Sequence, residues 1–345
     1  MQREINQNKK LYLEVIRILA VLLVIFNHTD GFVYYTVPGN IITHLYSLIL
    51  AIVCRMAVPL FFMVSGTLLL KKEEKTGELL KRRVWRMLVV LLAVSVFYYV
   101  LDIARGRIGT PGVGDFFARL ASNGIRESFW FLYLYISALL LLPFFRKVAS
   151  GLDKNLIIYL VAVRAFVDIV IFFLQMKTGL AVSFDAGVIG GCFYYMLIGY
   201  YIDEGKAGLF KNPGVKGSVL LSGMIILNGI LVYSVKKVTG EYQTLVLDVF
   251  VFLTAPLAFG LIQKCMEGRT LSSRAEGIIL TMGSCVFGIY LLDNFFRLEF
   301  LPVYLFLSEK AVGIIANSVY VLLTFAGGLT GAWILKKIPV VKNYL

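Results

Sequence analysis

The ionisable side chains that lie inside apolar runs are the first candidates for chemistry in this sequence. The earliest such run contains Glu14, Arg17 and His28. Arg17 and His28 are eleven residues apart, so on an α-helix they lie within roughly 20° of one face and about 16 Å apart along the axis. Glu14 lies on nearly the same face and can pair with Arg17. This stripe predicts that the first helix lines a polar interior. The alternative is a buried ion pair plus an unrelated histidine near a membrane surface.

His28 is the most informative of these residues, because an imidazole can take and return a proton near neutral pH. The chain has two histidines and four cysteines, and no two cysteines form a Cys-x-x-Cys pair. This pattern lacks the ligand spacing of a zinc site, so we expect no metal.

Three residues are predicted to lie at similar depth, in the half of the membrane away from the N-terminus. They are His28 on the first apolar run, Arg55 on the second and Asp293 on the ninth. Such groups are costly in lipid and usually face the bundle interior. One convergent polar site is therefore expected, and the alternative is three separate residues that reach a membrane surface. Arg164 and Asp168, one turn apart, are expected to form a pair of their own.

The composition defines the elements that must position these side chains. Of the 345 residues, 59% are hydrophobic and only 16% are charged, whereas soluble domains are about one quarter charged. The net charge of +13 comes from Lys and Arg clusters between apolar runs, which is typical of membrane topology signals and not of nucleic-acid binding. The sequence predicts an all-α integral membrane protein in contact with the lipid bilayer.

About ten transmembrane helices are predicted, since each crossing needs about 20 mostly apolar residues. They form a single bundle that is one domain over residues 1–345. Pro59 is expected to kink the second helix. The predicted segments are 11–32, 43–70, 84–103, 128–145, 156–175, 186–203, 217–235, 243–264, 277–296 and 311–335.

The distribution of basic residues predicts the orientation. With the N-terminus in the cytoplasm, the inner segments hold 22 of the 34 Lys and Arg residues and the outer segments hold 9. Basic residues are enriched on the cytoplasmic side. Both termini are therefore expected to be cytoplasmic, in agreement with an even number of crossings.

Four motifs of the chain resemble the membrane acyltransferase family 3, in the order found in that family. In the family an acidic residue stands three positions before an arginine, and a histidine follows eleven positions after it, as Glu14, Arg17 and His28 do here. At Asp293 the chain departs from the family, which often has a histidine there, so the role of the ninth helix stays open. The other three matches are RMAVPLFFMVSG at 55–66, FWFL at 129–132 running to Pro143, and GIYLL at 288–292.

This resemblance implies an O-acyltransferase in a multi-pass membrane domain, with the bacterial plasma membrane as its location. The acyl group, usually acetyl, would come from cytosolic acyl-coenzyme A (acyl-CoA). The acceptor would be a hydroxyl of an envelope or secreted polysaccharide, or of its lipid-linked precursor. His28 would be the general base or, alternatively, would accept the acyl group itself. Arg17 would bind coenzyme A or polarise the site, and Glu14 would orient Arg17.

Five further residues are candidates for substrate binding, each with a structural alternative. Arg55 or Ser65 could hold the thioester oxygen or the acceptor, but a Ser-Gly pair also favours close helix packing. Trp130 and Tyr290 could stack on a sugar, but aromatic residues also anchor helices at membrane surfaces. Asp293 completes the group. A polysaccharide, lipid-linked sugar or small-metabolite transporter would use the same charges as a pathway and remains the alternative function.

Overall fold

The computed structural model describes residues 2–29, 41–179, 191–206, 214–239, 244–310 and 313–344. Within these ranges the chain is helical and contains no β-strand, as predicted. The long helices follow from the apolar composition, since a backbone in lipid must satisfy its hydrogen bonds internally.

Some of the described helices follow one another almost directly. Short π-helical turns join α4 to α5 (Leu80–Val84) and α9 to α10 (Phe166–Ile171), and 3₁₀ turns precede α7 (Glu127–Phe129) and α13 (Thr244–Asp248). The α-helices are α1 Gln2–His28, α2 Ile41–Cys54, α3 Ala57–Leu69, α4 Thr76–Leu79, α5 Trp85–Ala104, α6 Val113–Ala121, α7 Trp130–Leu140, α8 Leu142–Ser150, α9 Lys154–Ala165, α10 Phe172–Thr178, α11 Cys192–Asp203, α12 Gly214–Thr239, α13 Val251–Met266, α14 Ser273–Lys310, α15 Gly313–Leu335 and α16 Pro339–Lys342.

Seven helical segments within the described ranges are long and apolar enough to cross a membrane, and the bent pair α7–α8 raises this number to eight. The chain is therefore a multi-pass membrane protein. The predicted segments 186–203 and 243–264 overlap the shorter helices α11 and α13, and residues 186–190 and 243 lie outside the described residues. The count of about ten crossings therefore stays a prediction. The seven segments are Leu11–His28, Ile41–Leu69, Thr76–Ala104, Lys154–Thr178, Gly214–Thr239, Ser273–Lys310 and Gly313–Leu335.

α1 lies in the middle of the bundle and packs against α3, α13, α14 and α15. Fully buried apolar residues flank the face of Arg17 and His28 on both sides: Ile16, Ala20, Val21 and Ile25. Other helices therefore cover α1 on either side of its polar face.

α3 and α11 approach each other closely because each has a glycine at the contact. A Cβ atom on Gly66 would lie 2.0 Å from the Met196 carbonyl oxygen, and one on Gly199 would lie 2.3 Å from that of Met63. Small residues allow such backbone contact between membrane helices. Gly66 therefore serves helix packing, and the neighbouring Ser65 is left to face the other side of α3.

The second crossing is interrupted at Arg55 and Met56, between α2 and α3. Pro59 lies one turn later and cannot donate to the carbonyl of Arg55, which explains the break. The expected irregularity is therefore present. A second change of direction, of 60°, separates α7 from α8 close to Pro143.

Candidate functional site

A cavity of about 420 Å³ runs through the bundle between α1, α3, α5, α7 and α14. Lys72 follows α3, three arginines lie at or just before the start of α5, and His28 ends α1. The lining therefore changes along the cavity from cationic side chains at one end to His28 at the other. We call these the basic end and the His28 end. The sequence predicted that the first helix faces a polar interior, and Arg17 and His28 both line this cavity.

Four cations surround the cavity at its basic end: Lys72, Arg82, Arg83 and Arg86. Three of them come from the π-helical turn and the start of α5, directly after the loop rich in Lys and Glu. Such a cluster attracts polyanions, because each cation can donate hydrogen bonds to phosphate oxygens.

The carboxylate of Glu74 holds this end of the cavity in place. It accepts hydrogen bonds from Arg83 (2.9 Å) and Arg146 (3.2 Å), and the Arg146 guanidinium also donates to the Leu69 carbonyl. Burial alone would raise the pKa of Glu74, but the two arginines outweigh that effect and keep the pKa below its ordinary value. Glu74 therefore stays ionised and fixes Arg83 beside the cavity.

Glu14, one turn before Arg17 on α1, sets the direction of the Arg17 side chain. Both carboxylate oxygens of Glu14 accept from its Nη1, at 2.9 and 3.1 Å. Glu14 itself lies behind Arg17 against α14, where a Cβ atom on Gly283 would lie 2.1 Å from Glu14 Oε2. Gly283 thus makes the space that lets Glu14 direct Arg17 into the cavity.

Aromatic side chains form part of the cavity wall around Phe131. The ring of Phe131 contacts those of Phe61, Tyr135 and Tyr290. Tyr135 and Ser65 both line the cavity here and add polar groups to its apolar wall. A wall that is mostly apolar with a few polar groups suits a ligand of the same mixed character.

His28 ends α1 and forms a pair with Asp293 of α14. The distance from His28 Nδ1 to Asp293 Oδ2 is 2.5 Å, and the Asp293 side chain is only 2% exposed. Because a carboxylate can only accept, Nδ1 must carry the proton. Nε2 of the neutral imidazole is then free to accept a proton, and the imidazole ring faces the cavity.

Three hydrogen-bonding side chains fix the backbone around the pair. Arg297 Nη1 donates to the His28 carbonyl (2.6 Å), and the Tyr320 hydroxyl donates to the Arg297 carbonyl (2.6 Å). The Tyr98 hydroxyl donates to the Leu291 carbonyl and accepts from the amide of Phe295, on either side of Asp293. The positions of both His28 and Asp293 are therefore set by neighbouring helices.

The other predicted site residues divide into two groups. Ser65, Trp130 and Tyr290 line the cavity together with His28 and Arg17. The Tyr290 hydroxyl donates to the Ser128 carbonyl at 2.6 Å, and Trp130 is 44% exposed. Asp293 does not line the cavity and instead contacts His28 from behind.

Arg55 is separate from this group, contrary to the expected convergence of three residues. Its neighbour Cys54 lines the cavity, whereas Arg55 Nε lies 3.6 Å from Asp248 Oδ1. The expected pair of Arg164 and Asp168 is present at 2.7 Å. Asp248 lies close enough to both arginines to interact with them electrostatically, so the charges of this second group are largely compensated.

Several residues of the site were not predicted from the sequence. Asn27, Cys54 and Ser128 line the cavity, and their side chains carry no sequence signal that separates them from other polar or small residues in apolar runs. Arg297 could have been found, because it lies one turn after Asp293 on the same helix face. The predicted ninth segment ended at residue 296 and left it out.

The bundle and its cavity define a class: a multi-pass helical membrane protein with a histidine–aspartate pair at the end of an internal cavity. A family model described as an acyltransferase domain, acyltransferase family 3, matches residues 10–337. The chain belongs to this family and is therefore a membrane acyltransferase. Comparisons with curated proteins and with solved structures gave no match.

Proposed function

We propose that the protein is an O-acyltransferase that moves an acyl group, in the first place acetyl, from acyl-CoA to a hydroxyl group of a glycan. The acceptor is an envelope or secreted polysaccharide or its lipid-linked precursor. The observation that carries this proposal is the cavity that joins four cations at one end to the His28–Asp293 pair at the other.

The proposed binding of the acyl donor rests on the match in charge between the basic end of the cavity and coenzyme A. Coenzyme A is a polyanion with a long, thin arm that ends in the thioester. Lys72, Arg82 and Arg86 bind its phosphates, and Arg17 binds along the arm. The arm passes Ser65 and Tyr135 on the cavity wall and brings the thioester to His28, about 16 Å farther along α1 than Arg17.

His28 acts as the general base in the proposed reaction. Nε2 takes the proton from the acceptor hydroxyl while the hydroxyl oxygen attacks the thioester carbonyl carbon. The carbon–sulfur bond then breaks, and the imidazolium returns the proton to the coenzyme A thiolate. Asp293 holds the Nδ1–H tautomer and stabilises the transient positive charge. Transfer through an acyl-histidine intermediate is the alternative and needs one more step.

The acceptor is placed at the His28 end of the cavity. Trp130 and Tyr290 are the candidate sugar-contacting residues, because both lie on the cavity wall and Trp130 is partly exposed. Aromatic rings stack on the apolar face of a sugar. Arg55, which faces Asp248, is not retained as an acceptor residue.

The proposal also includes the membrane arrangement. The seven long segments, the bent α7–α8 pair and the shorter helices α11 and α13 make ten crossings. Both termini and the basic end of the cavity then face the cytoplasm of a bacterium, where acyl-CoA is present. The His28 end faces the other side of the plasma membrane, where the glycan acceptor is found.

The test measures thiol release from acetyl-CoA by the purified protein, with and without a panel of glycans. Wild type is compared with His28→Ala and Arg17→Ala, and His44→Ala is the matched control because His44 lies outside the cavity. Loss of turnover in the first two variants and retention in the control support the proposal. Full turnover in His28→Ala contradicts it. Glycan movement across proteoliposomes without thiol release identifies a transporter instead.

A further inference from the structure

A group of buried polar atoms without protein partners lies where α14 contacts α15. It consists of Asp293 Oδ1, Arg297 Nε, Thr324 Oγ1 and both amide atoms of Asn317, and none of them has a hydrogen-bond partner within the described residues. Taken as whole residues, Asp293, Asn317 and Thr324 are at most 1% exposed. Because buried polar groups are almost always hydrogen-bonded, these atoms point to a partner that is not a side chain of the described helices.

The antiparallel register of the two helices places Thr324 opposite Asp293. At the basic end of the contact, Gly328 packs directly on Ile289. At the other end, the Tyr320 hydroxyl donates to the carbonyl of Arg297. Asp293 is one turn beyond Ile289, and Thr324 is one turn before Gly328. The two therefore face each other halfway between the observed contacts.

We propose that an ordered water molecule occupies this position and bridges Asp293 Oδ1, Thr324 Oγ1 and Arg297 Nε. A buried water typically makes two to four hydrogen bonds, and these three groups supply that number. Thr324 thereby acts as a positioning residue for the His28–Asp293 pair, without contact with either substrate. Its effect on catalysis rests on the proposed function; the water site itself does not.

The water completes the hydrogen bonding of the Asp293 carboxylate. Oδ2 accepts from His28, and Oδ1 would otherwise carry its share of the negative charge without a hydrogen-bond donor, which is costly for a buried group. Before His28 takes the proton of the acceptor hydroxyl, its imidazole is neutral. It therefore does not compensate the negative charge of the Asp293 carboxylate. Among the described residues, five titratable or charged side chains face the pair: Tyr98, Arg126, Tyr290, Arg297 and Tyr320. None of them donates a hydrogen bond to Asp293 Oδ1.

Thr324→Val removes the hydroxyl at nearly constant shape, and Thr324→Ser is the matched control that keeps it. The pH profile of acetyl-CoA turnover is measured for both. In Thr324→Val the low-pH limb moves up by about one pH unit, because the active form loses a hydrogen bond to a charged oxygen. Turnover at pH 7 falls accordingly, while KM for the donor stays within about twofold because Thr324 does not line the cavity. Thr324→Ser keeps the wild-type profile.

A purely structural role for Thr324 predicts less folded protein with an unshifted pH profile, and that result overturns the positioning role. A high-resolution structure of the wild type is the second measurement and does not depend on any variant. Density for a water within hydrogen-bonding distance of Asp293 Oδ1 and Thr324 Oγ1 is expected. A direct hydrogen bond between the two side chains, or an empty space, overturns the water site. If the water is present and the wild type does not turn over acetyl-CoA, the proposed function fails and the water site stands.

Discussion

Asp293→Asn replaces one carboxylate oxygen of the His28–Asp293 pair with an NH₂ group and leaves the shape of the side chain nearly unchanged. The 2.5 Å contact with Nδ1 and the 2% exposure of the side chain mean that bulk water cannot replace the lost charge. If the amide NH₂ turns toward His28, Nδ1 must become the acceptor and Nε2 carries the proton. If the amide oxygen turns toward it, the tautomer survives but the imidazolium loses its counter-ion.

The magnitude follows from these two outcomes. Loss of a hydrogen bond to a charged group costs about 1.5–3 kcal/mol, which is a factor of about 10–150 in rate. Loss of the base in its reactive tautomer removes a contribution of about 10²- to 10⁴-fold. We therefore expect kcat for acetyl-CoA turnover to fall by about 10²- to 10³-fold. KM for the donor should change less than threefold, because Asp293 does not line the cavity.

The assay is steady-state thiol release by purified protein in detergent or nanodiscs. Asp248→Asn is the matched control, since it also neutralises an aspartate of an intramembrane ion pair but lies away from the cavity. Combining Asp293→Asn with His28→Ala should add no loss beyond that of His28→Ala alone, because the two residues act as a unit. Retention of more than about one tenth of wild-type kcat in Asp293→Asn would refute the role assigned to the pair.

Three further predictions concern the basic end and its connection to α1. Gly283→Ala should push Glu14 away from Arg17, because the new Cβ would lie 2.1 Å from Glu14 Oε2, and raise KM for the donor about tenfold. Arg86→Ala should raise KM about tenfold through the loss of one phosphate contact, with kcat nearly unchanged, as measured by initial rates. Glu74→Gln should lower Tm by about 1–3 °C at pH 7. Since the pKa of Glu74 is lowered on folding, the wild-type advantage should be lost as the pH falls below about 4.5.

Each of these three predictions has an outcome that contradicts it. Gly277→Ala is the control for Gly283→Ala, because it adds a Cβ to the same helix in open space. Equal effects of the two substitutions on KM would contradict the proposed displacement of Glu14. A fall in kcat without a change in KM would contradict the role of Arg86. For Glu74, Tm curves of wild type and variant that stay parallel down to pH 4 would show that its carboxylate is not held ionised by its arginines.

The helical membrane class followed from composition alone, because long apolar runs cannot stay in water and cannot leave backbone groups unpaired in lipid. The break near Pro59 was predictable for a similarly local reason, the missing amide hydrogen. The number of crossings was less certain from the sequence. α11 and α13 are short, with 12 and 16 residues, and composition does not tell a short crossing from a buried helix of the same length.

The stripe of Glu14, Arg17 and His28 was likewise encoded locally, since the period of one helix decides which of its residues share a face. What faces that stripe was decided by tertiary structure. Depth in the membrane placed Arg55 and Asp293 level with His28, but depth does not determine how a helix is rotated about its axis. Successive residues on a helix point about 100° apart, so Cys54 faces the cavity and Arg55 faces Asp248. α14 is turned by its contacts with α1 and α15 so that Asp293 meets His28, and only that packing made a pair out of two residues 265 positions apart.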